Sequence, residues 1–285
     1  MTNITALIDA SVYSRSVCDH AAWLALRTGN SVDVIHVLGR RDVSSAPVNL
    51  SGNLDANARD TLLVELASLD EQKAKLAHKS GRLLLDEAKA RLHEDGVDEV
   101  TTKLRNGDIV EAIHDFEDDS SFIVIGKRGQ AADFASMHLG SNLERVVRAT
   151  HKPVLVAARA FKPIQRFLIA YDGGASAMKA IEHVAASPAF KGLACRVLSV
   201  GADTGGVRQQ LDEAATKLRE KAGMSVETDI LNGQPDAVIA EVVRDDNIDL
   251  VVMGAYGHSR IRSLIIGSTT TEMIRSCLVP IMLFR

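Results

Sequence analysis

Residues 249–284 read DLVVMGAYGHSRIRSLIIGSTTTEMIRSCLVPIMLF. The unbroken apolar run 250–253 reads as a strand buried on both faces. Gly254 and Gly257 follow, then nine residues, then Gly267-Ser268-Thr269 opening an amphipathic helix with Met273, Ile274 and Cys277 on its inner side. A second buried strand, 280–284, completes the stretch. Strand, glycine-rich turn and helix start, in that order, build an anion site. Glycine lets backbone N–H groups approach a phosphate, and a helix start adds unpaired donors and partial positive charge. The hydroxyls of Ser268, Thr269 and Thr270 add further donors. The bland alternative is that the glycines serve turns and the hydroxyl residues cap a helix.

Outward from this stretch, the chain says the same thing twice. NITALIDASVYSRSVCDHAAWLA from residue 3 answers to RFLIAYDGGASAMKAIEHVAASP from residue 166. Each is a short apolar strand ending in an aspartate, Asp9 or Asp172, then a loop of small residues, then a helix. Second strands end at Val37 and Val200. A helix, a strand and a glycine turn into another helix come next in both copies. SSFIVIGKRG…HLGSNLERVVRATHKPVLVAA then matches the stretch quoted above. Each half therefore reads as five strands alternating with four helices. Right-handed crossovers make that a parallel sheet with helices on both faces, a Rossmann-like α/β fold. Pro163 marks the break between halves, giving domains 1–160 and 161–285.

G-x2-G-x9-G-[S/T], placed before the last strand of a small α/β domain and repeated in outline in both halves, resembles the ATP-binding motif of the universal stress protein family. The resemblance implies a strand order of 3-2-1-4-5 in each half and two tandem domains paired as a pseudo-dimer. It implies ATP, with Mg2+ as a companion, in the crevice between strands 1 and 4, where open α/β sheets bind ligands. In that reading Asp172 meets the adenine amino edge, beside Gly173. Val200 and Met253 border the base, and Gly254, Gly257, Gly267, Ser268 and Thr269 take ribose and phosphates. His258, Arg260 and Arg262 lie in the intervening loop and add charge, or else form a solvated face.

The first half departs from the pattern. Gly126 and Gly129 are separated from Gly140-Ser141 by ten residues, and Asp9 is followed by Ala10. Its loop carries Asp133, which repels a polyphosphate, and bulky Phe134, offset in part by Lys127, Arg128 and His138. Ser141-Asn142 caps the next helix. Asp9, Val37, Gly126, Gly129, Gly140, Ser141 and Asn142 thus form a weaker second site, in a half kept as a dimerisation partner. Single-domain members of the family pair through their fifth strands, so Val154 to Ala157 and Ile281 to Phe284 are expected back to back within the chain. Left alone, each would be an apolar sheet edge. A homodimer of the whole chain is also open.

Composition bounds the rest. The 285 residues are 46% hydrophobic and 25% charged, which describes a globular protein built on small aliphatics, with aromatics at only 4%. A formal net charge of −4 sets up no field for nucleic acid or an anionic membrane. No signal-peptide pattern or membrane-length run is present, so a cytoplasmic location is expected. Cys18, Cys195 and Cys277 are expected as buried reduced thiols rather than nucleophiles. There is no P-loop, no metal-ligand spacing, no G-x-S-x-G elbow and no carboxylate committed as a general base, so no catalytic residue is assigned and any hydrolysis is slow.

Between Gly39 and Lys79 the first half carries sequence that the second lacks. Leu62, Leu66, Leu69 and Leu76 recur there at helical spacing and are expected to pack on their own domain or its neighbour. Partner binding is the alternative. The function expected is a stress-response regulator whose nucleotide occupancy alters its conformation or a partner surface. A scaffold that binds no nucleotide and works through protein partners is the second reading. An enzyme of the wider adenine-nucleotide α-hydrolase class is the third. DASVYS and DGGASA have neither the Ser-Gly-Gly-x-Asp-Ser loop nor the histidine pair that class uses after strand 1.

Overall fold

The computed structural model describes residues 2–39, 42, 56–129, 140–255 and 267–285. The first half runs β1 (Asn3–Ile8), α1 (Ser14–Thr28), β2 (Ser31–Leu38), α2 (Ala56–Glu94), β3 (Val100–Asn106), α3 (Ile109–Phe116), β4 (Ser120–Gly126), α4 (Ser141–Ala149) and β5 (Val154–Ala157). The second half repeats the order with β6 (Arg166–Ala170), α5 (Ala175–Ala186), β7 (Ala194–Val200), α6 (Gly205–Ala222) and β8 (Val226–Leu231). It ends with α7 (Pro235–Asp245), β9 (Leu250–Gly254), α8 (Ser268–Ser276) and β10 (Ile281–Phe284). Local chemistry sets several boundaries. Gly29, at φ 72°, ends α1 in the left-handed conformation, its N–H bonded to Ala25 O at 2.8 Å. The Asp108 carboxylate starts α3 by accepting from Val110 N at 2.9 Å.

The strands form one sheet in the order β3-β2-β1-β4-β5-β10-β9-β6-β7-β8. Each half therefore has the order 3-2-1-4-5 that the resemblance implied. All neighbours are parallel except the join, where β5 and β10 run antiparallel with Val154, Leu155 and Val156 opposite Leu283, Met282 and Ile281. The two fifth strands lie back to back, and neither is left as an apolar edge.

Both faces of the sheet are covered, which is why its central strands read as continuous apolar runs. Ile4, Ala6 and Ile8 of β1 face one core layer, with α1, α2, α5 and α6 outside it. Leu7 faces the other layer, formed with α3, α4, α7 and α8. Each layer continues from one half into the other: Ala21 and Leu24 share the first with Phe167, Ala180 and Val184. Polar ties close the seam. Arg27 donates to Ala189 O and Lys191 O of the second half.

The leucines of the insert do not pack as expected. α2 lies on β2, β3 and α1, but its buried positions are confined to its C-terminal half, at Gly81, Leu85, Ala88 and Leu92. Leu62, Leu69 and Leu76 are exposed and Leu66 only partly covered. Amphipathic spacing established the helix but not its partner.

Candidate functional site

Strands β6 and β9 are neighbours, with Ala170 paired to Met253, so the loops leaving their carboxyl ends meet at the switch point of the second half. After β6, Tyr171 is buried and its N–H donates to Leu198 O at 2.8 Å. Burial, with the neighbouring Asp172 carboxylate, pushes its phenol up. Asp172 itself is exposed, and its Oδ1 accepts from Gly174 N at 2.8 Å, which closes a tight turn. That turn needs Gly173 at φ 74°, and a side chain there would meet Gln210 Oε1 of α6 at 2.8 Å.

After β9, Gly254 is pressed onto the start of α5. A Cβ at Gly254 would lie 2.9 Å from Ser176 Cβ and 3.2 Å from Ala177 N. The far end of the glycine loop is pinned beside it. Gly267 N donates to Ala255 O at 3.2 Å, and Thr270 Oγ1 donates to Gly254 O at 3.2 Å. α5 and α8 therefore both begin next to Gly254, capped by Gly174 and Gly267 with no side-chain capping bond at either end. Two helix starts facing one point concentrate N–H donors and partial positive charge there. Ser268 does not cap α8, as the bland reading had it; it lies in the first turn, exposed, with Thr269 half-buried beside it. Val200, at the end of β7, lies one strand further out, half-buried. Gly257, His258, Arg260 and Arg262 lie outside the described residues.

The corresponding crevice of the first half is furnished differently. Tyr13 stands where the repeat places Ser176, and it is buried against Gly126, whose Cβ position would be 2.7 Å from Tyr13 Cβ. Asp9 Oδ1 accepts from Ser11 N at 3.0 Å, and Asp9 Oδ2 lies 2.9 Å from the Cβ position of Gly129. The loop ends touch, with the Cβ position of Gly140 only 3.4 Å from Gly129 N and Arg128 Cα. Asp9, Gly126, Gly129 and Gly140 are thus brought together, with Tyr13 packed on Gly126 and the Asp9 carboxylate against Gly129. Val37 ends β2 half-buried, one strand away. The helix cap is Gly140; Ser141 and Asn142 are the first residues of α4. Asp133, Phe134 and His138 lie outside the described residues.

Lys127 does not serve this crevice. Its Nζ donates to Cys277 O, at the C-terminal cap of α8 in the other half, at 2.6 Å. A lysine there matches the negative end of the helix. Burial lowers its pKa, and the bond ties the two halves together.

Sequence reasoning missed Tyr13, Ser176 and Gln210. The first two were open to a column-by-column alignment of the repeat, which sets a phenol against a hydroxymethyl group. Gln210 carried no such signal, because its approach to Gly173 depends on how α6 lies over β7 and β8 and against α5.

With the geometry in place, comparison with known proteins is direct. The Universal stress protein family model matches residues 1–158 and again 163–285. Universal stress protein Slr1230 of Synechocystis sp. is 37% identical over 288 residues, covering all of both chains. Universal stress protein MJ0577 of Methanocaldococcus jannaschii is 26% identical over 73 residues, 26% of this chain and 45% of its own. The crystal structure of a universal stress protein from Archaeoglobus fulgidus superimposes with a TM-score of 0.70 at 22% identity, covering 99% of this chain and 98% of that one. The chain belongs to the universal stress protein family as a tandem member, and with the family comes a role in the stress response.

Proposed function

We propose that the protein binds ATP, or a related adenine nucleotide, in the crevice of its second half, and that occupancy of this site is what it transmits to partners. The observation that carries the proposal is the convergence on Gly254 of two helix starts, each capped by glycine alone, beside the Asp172 turn. That arrangement suits a polyanion attached to a base: donors and positive helix ends for the phosphates, a carboxylate one strand away for an amino edge. Asp172, Gly173, Val200 and Met253 would border the adenosine end. Gly254, Gly267, Ser268 and Thr269 would hold the phosphates, with Mg2+ as their counter-ion. Glycine at 254 lets the backbone approach the start of α5 closely, where any Cβ would collide. The first half is the structural partner in this reading, because bulky Tyr13 packs on its first glycine, Gly126, and the Asp9 carboxylate lies against Gly129.

Small molecules released on denaturing freshly purified protein, identified by mass spectrometry, test this beside two variants. Gly267 has φ −55° and Gly140 φ −59°, values any residue adopts, so Gly267→Val and Gly140→Val crowd the two crevices without straining the backbone. About one nucleotide per chain, lost in Gly267→Val and kept in Gly140→Val, is expected. Protein stripped of ligand should then be stabilised by Mg-ATP, by about 2.7 kcal/mol at a hundredfold excess over Kd. No released nucleotide together with no stabilisation would refute binding, and two per chain would refute its restriction to the second half.

A further inference from the structure

α2 spans 39 residues, about 58 Å at 1.5 Å per residue, and only its C-terminal half is seated on the sheet. From residue 60 to residue 80 no side chain is buried, although this stretch holds Leu62, Leu63, Val64, Leu66, Leu69 and Leu76. Six of the nine large hydrophobic side chains exposed among the described residues lie on α2. Elsewhere among the described residues only Val12, Leu26 and Leu278 are comparably exposed, and they lie scattered, so the concentration needs a cause.

The spacing supplies one. Leu62, Leu69, Leu76 and Leu83 recur every seven residues and are 40%, 59%, 67% and 55% exposed. At 100° per residue, this line stands about 140° round the helix from Leu85, Ala88 and Leu92, the residues that seat α2 on its own body. It lies on the side of the helix turned away from the sheet. Seven-residue spacing is the period at which one helix keeps meeting another. A leucine line set for its own domain would instead continue the buried face through Gly81, which rests on His36 and Leu104.

We infer that the N-terminal half of α2 is a dimerisation arm, which pairs antiparallel with the same arm of a second copy of this chain. With the leucine line at the d positions of a heptad, Leu66, Lys73 and Ser80 fall at a, and Glu65, Gln72 and Lys79 at g. A parallel pair would stack Lys73 on Lys73 and set Glu65 against Asp70 of the second copy. Like charges in both places disfavour it. The antiparallel pair places Leu66 against Leu76 of the second copy, and the stem of Lys73 against Leu69. Glu65 then stands beside Lys79 of the second copy, twice over by symmetry. Asp70 meets Asp70 of the second copy, flanked by both Lys73 side chains. Pairing two such arms removes on the order of 1,000 Å2 from water, the size at which stable protein interfaces begin. This dimer leaves the β5–β10 join and the second-half crevice untouched.

The test is the mass of the full-length protein in solution, by light scattering or sedimentation equilibrium. Wild type is expected as a dimer at about 50 μM chain, above the micromolar dissociation constants an interface of this size supports. Leu69→Glu/Leu76→Glu is expected as a monomer with an unchanged circular dichroism spectrum, because both side chains are exposed. Glu65→Lys and Lys79→Glu should each weaken the dimer at least tenfold, and the two together should restore it. A wild type that stays monomeric, or a dimer indifferent to the leucine substitutions, overturns the arm. A dimer lost with the leucines but indifferent to the charge exchange overturns the antiparallel register.

Discussion

His183 of α5 faces the seam between the two halves. Its ring meets Phe122 of β4 edge-on at 5.1 Å and lies 5.2 Å from Phe284 of β10. Its Nε2 is buried with no hydrogen-bond partner. Burial lowers its pKa from 6.5 to about 4, since a protonated imidazole among phenyl rings has nothing to replace its hydration. The unfolded chain therefore takes up a proton near pH 6.5, while the folded protein refuses it until about pH 4. Stability is full above pH 7, falls as pH drops through that window, and is flat below it as far as this residue is concerned. The whole effect is about 3 kcal/mol, of which about 2 kcal/mol is lost between pH 8 and pH 5. His183→Leu keeps the volume and removes both the proton and the orphaned nitrogen. Urea unfolding of wild type and variant at pH 8 and pH 5 measures the difference, with paired carboxylates such as Asp33 and Glu117 common to both. The variant is expected to lose about 2 kcal/mol less than wild type over this interval, and to be at least as stable at pH 8 because a buried unsatisfied nitrogen is gone. Equal losses in the two proteins would refute the assignment of acid sensitivity to this side chain.

Gly173→Ala should destabilise the protein by about 1–2 kcal/mol, for the positive φ and the collision with Gln210, lowering Tm by a few degrees. Gln210→Ala in that background should recover the collision but not the backbone cost, as two calorimetric scans would show. Burial pushes Cys18 and Cys195 up to about 12 and raises Cys277, so at pH 8 about one thiol in ten thousand of the first two is ionised. Ellman's reagent should find no fast thiol in the folded protein and all three after denaturation; a rapid native reaction would contradict the burial.

The regularities of the fold were open to reading because they are local or repeated. A strand buried on both faces must be apolar throughout, and β4, β6, β9 and β10 are nearly so. Helix α1 ends at a glycine because only glycine takes φ 72° cheaply. Two copies of one pattern fixed the number of layers and suggested the join, since two unpaired apolar fifth strands in one chain have an evident remedy. The crevice of the second half was legible for the same reason: its glycines and hydroxyls lie in one continuous stretch, and Asp172 ends a strand that the order 3-2-1-4-5 sets beside it.

What depended on tertiary structure involves partners far apart in the chain. The charge of Lys127 suggested a phosphate ligand, yet the side chain reaches Cys277, 150 residues on. The hydroxyls of Ser141 and Ser268 suggested caps, yet both helices are capped by the preceding glycine. Tyr13 reads as one more loop residue until it is found packed against Gly126. The leucine spacing of α2 defined a helix and its apolar face but not what that face meets. The sequence by itself determined the order of strands and helices, the tandem repeat and the places where backbone donors gather, because periodicity and glycine act within a few residues. Which side chain packs beneath each glycine, which charge ties the halves and which helix face is left uncovered were decided by the tertiary structure. Those outcomes depend on packing between segments whose separation along the chain carries no information about their distance in space.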